Sequence, residues 1–211
     1  MDFPRPWPVL DGRAAGSVRC GCQSDLIRLS PARTGLYVFA VSLLDEQHWD
    51  AAQEGAELLV EGESEAAEAA LLALSEREPD NCYAFFFLGN ALYEQAKYVR
   101  ALRAYLTALS LAPDYLGAMV ATGHTLRMLG RYDEAIRMGR QVLSRAADDG
   151  DALFLMGSCH FARGDTAAAE EYLERFVATG PELEVATEAH GMLQVLRGEV
   201  LAAVADDDEV N

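Results

Sequence analysis

Basic side chains are scarce: 17 Lys and Arg stand against 34 Asp and Glu, a formal charge of −17. Such a surface repels phosphate backbones and anionic headgroups, so nucleic acid is excluded as an expected partner. Long apolar runs are also missing. Gly35 to Leu44 is the longest near the start, well short of the roughly 20 residues a helix needs to cross a bilayer. Met1 to Leu10 is rich in Pro and lacks a charged start followed by an apolar run. No signal peptide and no membrane insertion are therefore expected, and a cytoplasmic location follows as the default. Cysteine is limited to Cys20, Cys22, Cys82 and Cys159, too sparse for a disulfide scaffold, so free thiols are expected.

The residues that carry chemistry are equally thin. Cys20-Gly21-Cys22 has no second pair or histidine at ligand spacing, so no metal site is expected. The acidic run Asp206 to Glu209 lacks the glycine turn and distal carboxylate of a calcium loop. No glycine-rich phosphate loop is present, and no two histidines fall four apart on a helix. Ser158, Cys159 and His160 are adjacent, but successive side chains on a helix point about 100° apart, so they cannot face one another as a nucleophile and base must. The expectation is no catalytic residue, no cofactor and no enzyme.

What is there is periodic. Gly55, Gly89, Gly123 and Gly157 are 34 residues apart, and each is followed twelve places later by Ala67, Ala101, Ala135 or Ala169. A period of this length marks one structural unit stacked several times, because a single unit cannot bury its apolar face alone. The small residues are read as a pairing of glycine on one helix with alanine on the next, which lets two backbones approach. Between Cys82 and Tyr115, Phe85, Leu88, Gly89 and Leu92 form one stripe at helical spacing, and Ala101, Tyr105 and Ala108 form a second. Gln95 to Lys97 connects them, and Pro113-Asp114 stops the second helix. The unit is a helical hairpin and the fold class is all-α.

The motif resembles the tetratricopeptide repeat family. The family's pattern of large apolar residue, Leu-Gly, aromatic, Ala, aromatic, Ala and Pro is met almost in full from Phe85 to Pro113. It recurs through Met119, Gly123, Leu126, Ala135 and Val142, and again through Leu153, Gly157, Ala169, Phe176 and Pro181. The most divergent copy, Ala51 to Pro79, lacks aromatics. The resemblance implies a right-handed superhelix of four helix-turn-helix repeats at about 48–81, 82–115, 116–149 and 150–183, closed by a capping helix over 182–198.

The expected organisation is an irregular leader over 1–44, the repeat domain over 45–198 and an acidic tail over 199–211. Within the leader, Arg33 to Leu44 reads as a strand or an early helix. Residues 45–80 hold twelve Asp or Glu against Arg77 alone, which reads as a solvated acidic face or as a docking surface for a basic partner.

The resemblance also implies that first helices line a concave groove that holds a peptide. In the best copy, Tyr83, Phe86, Asn90 and Tyr93 share one face beyond the core stripe. The equivalent places are Val120, His124 and Arg127, then Phe154, Ser158 and Phe161. Rings with a few polar handles suit protein recognition, so these ten residues form the candidate peptide-binding groove. A clamp for acidic C-terminal tails is disfavoured, because Phe86, Ala121, Asp151 and Leu155 stand where cations or amides would be needed. The expected function is a protein-interaction scaffold that binds an apolar or amphipathic segment. A bacterial secretion-type chaperone of the same repeat class is the alternative, an enzyme or metal protein ranks below it, and self-association is a further partner class.

Overall fold

The computed structural model describes the backbone of residues 31–199 and side chains from residue 44 onward. The Cys20-Gly21-Cys22 motif, the rest of the leader before Pro31 and the acidic run after Glu199 lie outside the described residues. Among the described residues there are nine helices and no strand: α1 (Pro31–Val60), α2 (Ser64–Arg77), α3 (Cys82–Glu94), α4 (Tyr98–Leu111), α5 (Leu116–Met128), α6 (Tyr132–Leu143), α7 (Gly150–Arg163), α8 (Thr166–Ala178) and α9 (Leu183–Leu196). The stretch from Arg33 to Leu44 is helical, as the first part of α1. The chain divides into two compact units, one ending at Thr125 and the other beginning at Leu126.

In the unit before Thr125, α1 packs on α2 and α3 on α4, while α3 also packs against both helices of the preceding pair. In the unit after Leu126, α6 packs on α7, α7 on α8 and α8 on α9. The connections are short because each first helix ends in a residue of positive φ that reverses the chain. Gly62 (82°), Ala96 (56°), Gly130 (73°) and Gly164 (76°) stand 34 residues apart. Their N–H groups donate three residues back, and the next N–H donates five back: Gly164 to Phe161 (3.0 Å) and Asp165 to His160 (2.9 Å). This pair of bonds satisfies carbonyls that the helix end would otherwise leave open.

The glycines work differently from a glycine–alanine contact. A Cβ at Gly55 would collide with Leu71, one at Gly89 with Tyr105, and one at Gly157 with Leu173, each under 3.0 Å. The residue that fills the glycine is bulky and comes 16 places later, on the second helix of the same hairpin. Gly139 stands where Tyr105 and Leu173 stand in their units, and Met156 of α7 fills it instead. Ala67, Ala101, Ala135 and Ala169 are wholly buried, so small size is needed at those places too, but the tight fit is a side chain lodged against bare backbone.

At the end of the second unit, Leu153, Phe154, Leu173, Phe176, Ala189 and Leu193 form one core. α9 thus covers the last hairpin while Glu184, Glu188 and His190 face water, the behaviour expected of a capping helix.

Candidate functional site

α3 starts on Asn81, whose side-chain oxygen accepts from the N–H groups of Tyr83 (3.1 Å) and Ala84 (3.2 Å). Its amide nitrogen donates to the His48 carbonyl (3.0 Å) and to Glu78 Oε2 (2.9 Å). One side chain therefore caps α3 and ties it to α1, fixing the rotation of the helix that carries four candidate residues.

That rotation carries the rings inward. The Tyr83 hydroxyl donates to Asp45 Oδ1 (2.9 Å), and Trp49 meets its ring edge-on at 5.2 Å. Phe86 lies 4.9 Å from the Tyr115 ring and 5.2 Å from that of Phe87. Tyr93 packs on Tyr98 at 5.2 Å. In the other unit, Phe154 lies 5.1 Å from Phe176. Tyr83, Phe86, Tyr93, Val120, His124, Phe154 and Ser158 are only 1–7% exposed. The aromatic trough is corrected accordingly: these seven are core residues. Asn90, Arg127 and Phe161 are the members of the candidate set that reach solvent in part.

The reason is the number of neighbours. A first helix inside a stack meets its own second helix and those of the adjoining hairpin, so it is apolar around most of its circumference. The reading of Phe85 shifts in the same way: it is half-buried, while Phe86 and Phe87 are buried. Trp49 went unrecognised as a wall of this region, although it stands 34 residues before Tyr83 and the period alone could have found it.

The accessible polar groups have distinct settings. Tyr105 donates its hydroxyl to Asn90 Oδ1 (2.7 Å), which pins the amide oxygen and leaves the amide N–H groups as donors. Burial pushes the Tyr105 phenol well above its ordinary range, so it stays a donor. Arg127 keeps its Nε buried without a hydrogen bond among the described residues. Burial pushes Asp151 up to about 6, with Asp149 adding repulsion. The acidic face is partly engaged. Glu68 receives Lys97 and Arg100, both at 2.7 Å, and Lys97 above all holds its carboxyl below the usual range.

Ser158, Cys159 and His160 are each engaged separately. The Ser158 hydroxyl donates back to the Phe154 carbonyl of its own helix. Burial pushes the Cys159 thiol up to about 11, against the pull of Arg127. His160 Nδ1 meets Asp165 Oδ2 at 3.1 Å, and its ring stacks on Tyr172 at 5.7 Å. Among the described residues no group of three or more His, Cys, Asp or Glu could hold a metal ion, and no helix is long and apolar enough to cross a membrane.

Two tetratricopeptide repeat models match the chain, over residues 82–115 and 126–193. Among curated proteins, superkiller complex protein 3 of Mus musculus is 29% identical over 122 residues, 58% of this chain. Its Homo sapiens counterpart is 26% identical over 126 residues, 60% of this chain. The match spans 8% of the length of either relative. Among solved structures, a tetratricopeptide repeat protein from Parabacteroides merdae superposes with a TM-score of 0.58 at 20% identity, over 73% of this chain and 61% of that one. MamA from Desulfovibrio magneticus gives 0.61 at 21% identity, over 78% and 92%. YrrB, described as a repeat protein of this kind with an unusual peptide-binding site, gives 0.55 at 17% identity, over 80% and 97%.

Proposed function

We propose, from the premise that this chain belongs to the tetratricopeptide repeat family, that it is an interaction scaffold gripping an amphipathic segment of another protein along its first helices. The observation that carries this reading is Asn90. Its amide oxygen is held by the buried Tyr105 hydroxyl while the side chain stays half-exposed, so its N–H donors are oriented in advance for a main-chain carbonyl of an extended segment. The rings beneath form a rigid floor and contribute little contact area of their own. In the other unit Arg127 and Phe161 stand at the place that Tyr93 holds in α3, and both are part-exposed. The peptide-binding site named for YrrB supports peptide binding as a use of this fold.

The test is capture from an extract of the source cell by the immobilised chain, comparing the parent with an Asn90→Asp variant, which keeps the acceptor for Tyr105 and removes the N–H donors. Helicity and melting should be nearly unchanged and the captured protein should be lost. Equal capture by parent and variant would remove the first-helix face from consideration.

A further inference from the structure

α9 has the marks of the first helix of a hairpin, yet no second helix lies on it among the described residues. Gly191 follows Gly157 by 34 residues, and Gly198 follows Gly164 by the same interval. Gly198 has φ 75°, beside 76° at Gly164, and its N–H donates to the Val195 carbonyl (3.1 Å) as that of Gly164 does to Phe161 (3.0 Å). α9 thus covers α8 with one face and ends in the turn that closes a first helix.

In three hairpins the bare glycine receives a large side chain of the second helix: Leu71 at Gly55, Tyr105 at Gly89 and Leu173 at Gly157. At Gly191 no described residue comes within 4 Å of where a Cβ would stand. Leu153 packs with Leu173, and His160 stacks on Tyr172, both partners being on α8. Thr187 and Gln194, 34 residues after Leu153 and His160, are exposed instead. Leu183 (84%) and Val195 (53%) are also exposed, on the outward side of α9, away from Ala189 and Leu193 in the core.

We propose that this outward face of α9 docks a basic amphipathic helix of another protein, which inserts one large side chain at Gly191. Charge selects the occupant. The face carries the exposed Glu184 and Glu188, and α9 contains no Lys or Arg. Arg197, just beyond the helix, is already held by Glu170 (3.0 Å) and Glu174 (2.6 Å). Two occupants from this chain are repelled. Residues 200–211 contain Asp206, Asp207, Asp208 and Glu209 and no basic residue, and the first hairpin of a second copy would bring twelve acidic residues against Arg77 alone over 45–80. α4 shows the chemistry that fits: it has Arg100 and Arg103 and no acidic residue, buries the small Ala101 and Ala108, and lodges Tyr105 in the socket of Gly89.

The probe is therefore a synthetic peptide with the sequence of residues 97–112, titrated into the full chain while backbone amides are followed by NMR. Amides 183–197 should shift, and the peptide should bind at least about tenfold more tightly than a version carrying glutamate for Lys97, Arg100 and Arg103. Gly191→Leu in the chain fills the open socket without altering charge. It should leave the melting temperature undiminished and weaken binding at least about tenfold. Tyr105→Ala in the peptide should weaken binding to a similar degree, and the two losses should not add, because each removes the same contact. Absence of binding, shifts that spare 183–197, or undiminished binding to Gly191→Leu overturns the proposal. Two results on the free chain do so as well. A dimer in sedimentation that Gly191→Leu dissolves would make the occupant a second copy, and amide shifts in 200–211 on the same substitution would make it the chain's own end.

Discussion

Ala96 occupies a backbone conformation that suits glycine. Its φ of 56° sits in a series whose other members are Gly62, Gly130, Gly164 and Gly198, and a side chain there costs about 1–2 kcal/mol. Ala96 is exposed, so Ala96→Gly should stabilise the chain by about 1 kcal/mol, read as a higher urea midpoint at unchanged slope. Phe86 lies at the other extreme. Because it is buried against Tyr115 and Phe87, Phe86→Ala should cost about 3–5 kcal/mol, and a Phe86→Ala/Tyr93→Ala variant would report on folding rather than on binding. Asp151 gives a pH signature. Its carboxyl is pushed up to about 6 from 3.8, so between those values this group binds more proton in the folded chain than in the unfolded one. Its own contribution to stability then falls as pH rises from about 4 to about 6, by at most about 2–3 kcal/mol. Asp151→Asn should flatten this slope in chemical denaturation measured across the window.

At the scale of the element, the hairpins were legible because helical periodicity, a reversing residue and a proline stop all recur in step. The partner of each glycine was less so. Gly89 and Ala101 are both small, and sequence spacing suggests they meet, whereas in three dimensions Gly89 receives Tyr105. A tyrosine ring between packed helices has no free path to move aside, so Gly89→Leu should destabilise by about 1–3 kcal/mol or more and lower the thermal midpoint. The fit at Gly139 is looser in kind, since its neighbour is the flexible end of Met156, and Gly139→Ala should cost less than Gly89→Ala in the same melt. The same elements explain why the candidate stripe was misjudged. A helical wheel assigns Tyr83, Phe86 and Tyr93 to one face, but Trp49, Tyr115 and Tyr98 cover that face, and none of the three lies on α3.

For the whole molecule, charge is the controlling property. A formal −17 concentrates repulsion in the compact state, and Glu46, Asp50, Glu54 and Glu57 all lie exposed along α1, with Glu61 exposed in the turn after it. Raising sodium chloride from low ionic strength to about 0.5 M should therefore increase the melting temperature, because screening relieves more repulsion than it removes from exposed pairs such as Arg131–Glu134 (2.6 Å). A calorimetric salt series checks the sign.

The amino-acid sequence by itself determined the 34-residue unit, its two helices, their turns and the family, because each depends on residues close together in the chain and repeated in step. Tertiary structure alone decided which faces stay open. Exposure of a ring is set by side chains arriving from other helices, as with Asp45 and Trp49 over Tyr83, and helical spacing within α3 contains no information about them.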